Sequence, residues 1–140
     1  MKTGRFEVTI DDVEVAGFQR VTLPSSRTET SEYREGDESE YERRTWGQMT
    51  FAPLTLERGF SPGTTELYDW REAIRMGNID QGRKEITVTL MDAEGQPQIE
   101  WQFEGAWIKD YDPPELNAGS DEVETETVVI AYDKMVRAEA

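Results

Sequence analysis

The 140-residue sequence contains no cysteine and no histidine. The first absence excludes disulfides, thiol chemistry and thiolate metal sites. The second removes imidazole as ligand or general base. Ser-His and Cys-His catalytic pairs are closed for the same reason. Apolar residues are scarce as well, at 36%, so the core is modest and much of the surface is polar. No apolar run approaches the roughly 20 residues of a membrane span. The leading MKTGRFEV has no hydrophobic signal core. The expectation is a chain made soluble in the cytoplasm, or one that leaves it without a secretory signal. Lysine is the last shortage, with four residues against eleven arginines.

What is abundant is acid: 30 carboxylates against 15 bases, a net charge of −15. Such a field repels nucleic acids and acidic membranes, so neither a sequence-specific nucleic-acid partner nor a membrane contact is expected. An acid-rich, lysine-poor surface suits high salt, where screening relieves self-repulsion. An ordinary acidic surface is the alternative. The length favours one domain, residues 1–140.

One stretch reads as a helix, residues 60–77, FSPGTTELYDWREAIRMG. Leu67, Trp70 and Ile74 recur at helical spacing with Ala73 between, which makes one apolar stripe. Pro62, Thr64 or Thr65 can start it, and Gly77 supplies a left-handed stop. A helix this short needs a sheet to lie against, so its stripe is assigned to packing.

The rest reads as strand and turn. Residues 5–10 and 13–23 alternate around an Asp11-Asp12 turn, with a bend at Gly17. Residues 49–58 slip phase at Pro53. Residues 85–91 and 98–108 form a hairpin, and Gly105 re-phases the second arm. Residues 121–132 pass from Glu/Thr-rich to Val/Ile-rich, and the tail beyond is expected to fray. About seven strands, one helix and no βαβ alternation predict a mainly β fold. Its form is an antiparallel β-sandwich or barrel with one packed α-helix.

Two segments fit no simple core. In residues 27–35, Thr28, Thr30 and Glu32 share one face and Glu29, Ser31 and Tyr33 the other; neither face is apolar. Such a strand either joins a polar neighbour, in another subunit if need be, or is a flexible loop. Residues 35–48 read as a long charged loop in which Tyr41, Arg43, Arg44 and Trp46 have the composition of a contact surface.

Chemistry is thin. Glu122, Glu124 and Glu126 share strand parity, but without a calcium-loop pattern they read as a solvated strand face. The glycines near positions 36 and 59–63 lack the Gly-Lys-Ser/Thr ending of a phosphate loop. Trp70, Trp101 and Trp107 read as core. No cofactor or metal is expected, and a non-enzyme is favoured over a monomeric ligand-binding module or a carboxylate enzyme.

Several elements line up in order. They are Tyr33-Arg34-Glu35-Gly36 with Trp46-Gly47, then residues 54–59, LTLERG, ahead of Leu67-Tyr68-Asp69-Trp70-Arg71. After these come residues 101–107, WQFEGAW, leading to 113–118, PPELNA, and finally 126–132, ETVVIAY. This series resembles the phage tail tube protein family, which includes inner-tube subunits of extracellular contractile injection systems. The resemblance spans about residues 5–137. It implies hexameric rings stacked into a hollow tube, enclosed by a sheath and joined to baseplate and tube-cap proteins. The tube passes a payload, as part of a virion tail or an extracellular phage tail-like particle. Thr28, Thr30, Glu32, Glu122, Glu124 and Glu126 are then candidates for the lumen wall. Tyr41, Arg43, Arg44 and Trp46 become anchors of the loop that stacks one ring on the next. The Thr45-Trp46-Gly47 run stands where the family has a Lys/Arg-rich turn.

Overall fold

The computed structural model describes residues 3–33, 43–61, 63–116, 118–119 and 124–139. Among these lie ten strands: β1 (Thr3–Ile10), β2 (Val13–Glu14), β3 (Phe18–Thr22), β4 (Ser26–Tyr33), β5 (Arg43–Phe51), β6 (Leu54–Gly59), β7 (Lys84–Asp92), β8 (Pro97–Asp112), β9 (Thr125–Ala131) and β10 (Lys134–Glu139). Two helices accompany them, α1 (Glu66–Arg75) and α2 (Ile79–Gly82). The main sheet runs β2-β1-β7-β8-β9-β6-β3, with β10 also on β8, and β4 and β5 pair as a separate ribbon. Every pairing is antiparallel.

The two ends of that order, β2 and β3, are joined by residues 15–17. Val15 N–H donates to Val8 at 3.0 Å and Gly59 N–H to Gly17 at 3.3 Å. The sheet therefore curls round a single core. Val8 and Ile86 reach it from one side, Leu54, Leu56, Val128 and Ile130 from the other. The β1–β2 turn has left-handed φ at both Asp11 (51°) and Asp12 (65°), the geometry of a two-residue hairpin that matches strand twist. Aspartate tolerates left-handed φ better than most residues, and the Asp11 carboxylate also accepts the Glu85 N–H of β7 at 2.8 Å.

Strand β8 is the spine. Residues 99–104 pair with β10 and 107–112 with β9 along one flank. The gap between those partners, at Tyr132-Asp133, falls opposite Gly105. Before Gly105 the odd residue Phe103 is buried; after it the even residues Ala106 and Ile108 are. Gly105 has φ 65°, and a Cβ there would collide with the Asp133 carboxylate. That carboxylate is held by Arg83 at 2.9 Å. Gly105→Ala is expected to cost about 1–3 kcal/mol from left-handed strain and the displaced ion pair. A melting temperature within about 1 °C of the parent would contradict this.

Helix α1 begins at Glu66, after the last of the three starts the sequence allows. Thr65 takes the cap position, yet its hydroxyl donates to the Asp69 carboxylate at 3.0 Å instead of capping the backbone. Leu67 and Trp70 are buried and Ile74 packs at the core's margin. Trp70 Nε1 donates to the Gly82 carbonyl at 2.7 Å, which ties α1 to α2. Gly77 (φ 76°) closes α1.

Three expectations change. Residues 79–82, expected as turn, form α2, whose first turn is capped by the Asn78 side chain. The tail, expected to fray, is β10; its Met135 lies opposite Phe103 and packs on the core. Residues 43–48, expected in a loop, belong to β5.

Candidate assembly surfaces

The chain between β3 and β6 is one long hairpin with two parts. Its base is β3–β6, inside the main sheet. Its outer part is the β4–β5 ribbon, which leaves that sheet. The joint is residues 23–25 and 52–53, with Pro24 on one arm and Pro53 on the other. Neither proline has an N–H to donate, so the ladder cannot run straight through. One cross-arm bond survives, Ala52 N–H to Ser25 at 2.9 Å. From the body, Tyr132 hydroxyl donates to the Ala52 carbonyl at 2.9 Å.

The ribbon register pairs Ser26 with Phe51, Thr28 with Met49, Thr30 with Trp46 and Glu32 with Arg44. A bulge between Thr28 and Thr30 brings position 46 into phase with 49 and 51. The face that looked polar along β4 alone is therefore mixed, because the partner strand adds apolar residues to it. Met49 and Phe51 are 55% and 53% exposed there. Thr28 and Thr30 are exposed. The side chains of Glu32, Arg43, Arg44 and Trp46 lie outside the described residues, as do Tyr41 and Glu122 altogether.

On β9 the strand period decides. Glu126, Val128 and Ile130 share the buried face, and Glu126 is 1% exposed. A carboxylate buried within its own chain cannot wet a lumen wall, so Glu126 leaves the set of lumen candidates. Glu124, of the same parity, is half-buried at the strand's edge.

Opposite Glu126 in register stands Arg58, also 1% exposed. Arg58 Nε donates to Glu126 Oε1 at 2.6 Å and its Nη2 to Glu66 Oε2 at 3.0 Å. The second Glu126 oxygen accepts from the Tyr111 hydroxyl at 2.7 Å. The guanidinium also lies 5.8 Å from the centre of the Phe18 ring, within cation–π range. Four elements, β6, β8, β9 and α1, are thus pinned at one end of the core. Sequence reading missed this cluster, although Arg58 shares parity with Leu54 and Leu56, which was its available signal.

Titration follows from these contacts. The Glu66 carboxyl is held below its ordinary range, first by a backbone hydrogen bond at the helix start and further by Arg58. Its share of stability is therefore lost as pH falls through that lowered value. The Tyr111 hydroxyl is pushed up to about 12, by burial first and then by its bond to Glu126. A raised phenol contributes stability that is complete below about pH 10 and lost as pH climbs towards 12. Tyr132 is raised by burial too. Tyr111→Phe is expected to remove part, not all, of the alkaline loss in a melting series from pH 8 to 12. An unchanged series would contradict the assignment.

Among the described residues, none of the strands or helices covers the opposite face of β3, β6, β9 and the end of β8. Register lines up Arg20, Glu57, Thr127 and Asp112 in one row and Thr22, Thr55, Val129 and Asp110 in the next. It is a polar, carboxylate-bearing sheet face. Among the described residues, no three Asp or Glu side chains gather in a way that would hold a metal ion.

A curled antiparallel sheet with two short helices and a projecting hairpin is a fold shared with Hcp1. Hcp1 from Flavobacterium johnsoniae superposes with a TM-score of 0.62 at 18% identity, over 96% of this chain and 95% of that one. The sequence matches the model of the T4-like virus tail tube protein gp19 family over residues 2–136, and the chain belongs to that family of structural tail tube proteins. A chain in the anti-feeding prophage cap structure (AFP tube terminating cap) is similar at 26% identity, TM-score 0.84, covering 100% of this chain and 91% of that one. A chain in the PVC sheath-tube complex of an extracellular contractile injection system, in its extended state, is also 26% identical. Its TM-score is 0.83, with 97% and 89% covered. No curated protein sequence matches.

Proposed function

We propose that the chain is the inner-tube subunit of a contractile injection particle, and that six copies form a ring. Rings stack into a hollow conduit inside a sheath, closed by baseplate and cap proteins, and the payload passes through. The observation that carries this is the near full-length likeness to chains in sheath-tube and tube-cap structures. A virus tail tube is the second reading, favoured by the family match itself. Both place the protein in a tail or tail-like particle assembled in the cytoplasm.

In this arrangement the uncovered face carrying Glu57, Thr127, Asp110 and Asp112 lines the bore. A wet channel explains a broad sheet face without an apolar partner, and ring closure removes the free strand edges. Carboxylates and threonines make a wall that repels acidic cargo. Thr28, Thr30 and Glu32 belong instead to the arm. Tyr41, Arg43, Arg44 and Trp46 make the contacts between rings.

Imaging of the purified protein in negative stain, at low and at molar salt, tests this reading. Hollow rings or tubes are expected, more abundant where salt screens the net charge of −15. A 16.1 kDa monomer at every concentration and every salt would overturn it.

A further inference from the structure

Strand β8 changes phase twice. The first change is at Gly105. The second, at 108–110, has neither a glycine nor a left-handed φ to explain it. Ile108 is buried opposite Ile130, yet the next pair in the ladder is Asp110 with Val129. Lys109 is the extra residue of a bulge. Beyond it Tyr111 packs on the core, while Asp110 and Asp112 are exposed. Had the ladder run on without the extra residue, Asp110 would stand opposite Val128 and Asp112 opposite the buried Glu126. Both carboxylates would then share the core face, and Tyr111 would lose its 2.7 Å bond to Glu126.

A bulge takes a residue out of the ladder and leaves backbone groups to be satisfied elsewhere. Here the satisfying group comes from α1. Arg71 Nη1 donates to the Ile108 carbonyl at 2.8 Å and to the Lys109 carbonyl at 3.3 Å. In a chain with 30 carboxylates, this half-buried guanidinium is aimed at two consecutive backbone oxygens. A cationic donor makes the stronger kind of hydrogen bond. The turn of α1 that carries it is itself anchored, because the adjacent Trp70 is buried and bonded to the Gly82 carbonyl.

We propose that Arg71 is the positioning residue of the bore wall. From α1 it holds the bulge at Lys109, and the bulge decides that Asp110 and Asp112 face the channel and Tyr111 the core. It acts on the wall through the backbone of β8. The hold on the bulge stands on geometry alone; its consequence for the bore rests on the tube reading.

Hydrogen exchange of the full chain, read by mass spectrometry, tests this in Arg71→Met and Arg71→Lys. In Arg71→Met the amides of 109–112 should exchange about tenfold faster or more, the weight of a hydrogen bond to a charged donor. Those of β6, which borders the same face, should keep the parental rate. Tyr111, whose phenol is pushed up to about 12 in the parent, should titrate nearer the ordinary value of about 10. Arg71→Lys keeps a cationic donor and should recover part of both effects. Parental exchange at 109–112 in Arg71→Met overturns the proposal. Uniformly faster exchange does so too, since Arg71 would then be a packing residue. If Arg71→Met does not fold, Arg71→Lys decides: selective loosening of 109–112 supports the proposal, and parental or uniform exchange overturns it. Assembly of the parent chain tests the tube reading separately. Tubes from the parent with 109–112 unmoved by either variant leave that reading standing and remove the role of Arg71. Selective loosening in a chain whose parent never assembles keeps the hold on the bulge and overturns the bore.

Discussion

Glu126→Ala is expected to lower stability by about 3–5 kcal/mol, the cost of removing one partner of a buried ion pair. For a chain of 140 residues that corresponds to a melting temperature roughly 10–20 °C lower. The variant leaves Arg58, 1% exposed, with its guanidinium in the core and its 2.6 Å partner gone. The Tyr111 hydroxyl loses its acceptor at the same time. Glu66, the remaining carboxylate on Arg58, is itself 56% exposed at the side chain and cannot compensate at that depth. The double change Arg58→Met with Glu126→Leu separates the cost of a stranded charge from the value of the pair. Apolar replacement of a whole buried pair is often neutral or stabilising, so the double variant should recover most of the loss. Urea titration of the three proteins is the measurement. A loss under about 1 kcal/mol for Glu126→Ala would contradict the description of this cluster.

Deletion of residues 37–45 is expected to abolish long tubes and leave the fold standing. The segment lies in sequence between the two arm strands and takes in the first residues of β5, and among the described residues none of the body strands pairs with β4 or β5. The core residues are supplied by β1, β6, β7, β8, β9 and α1. Melting should therefore shift little while sedimentation shows folded subunits or single rings. Long tubes formed by the deleted protein would contradict the stacking role of Tyr41, Arg43, Arg44 and Trp46.

Much of this fold can be read along the chain where period and burial agree. The helix stripe of Leu67, Trp70 and Ile74, the turn at Asp11-Asp12 and the phase change at Gly105 are all local signals. What hid was non-local. Glu126 looks solvated beside Glu122 and Glu124, yet it shares parity with Val128 and Ile130; the period-2 rule was the better guide than residue type. Its partner Arg58 lies 68 positions away, and nothing in the sequence announces which carboxylate it takes. The arm misleads in the opposite direction. Along β4 no residue asks for a dry neighbour, because the apolar side of that ribbon is supplied by Met49 and Phe51 across a bulge. Strand β10 is polar at its surface and is held by pairing with β8, which composition does not register.

The proposed tube turns the sheet face bearing Asp112 towards a shared bore. The absence of cysteine makes this directly measurable, since Asp112→Cys introduces a unique thiol at an exposed position. Labelling before and after assembly, with a small maleimide and with one coupled to a large globular protein, reads the geometry. The predicted result is that both reagents label the free subunit, while in assembled tubes only the small one reacts. Equal reaction of the bulky reagent with assembled tubes would place that face on the outside and contradict the account.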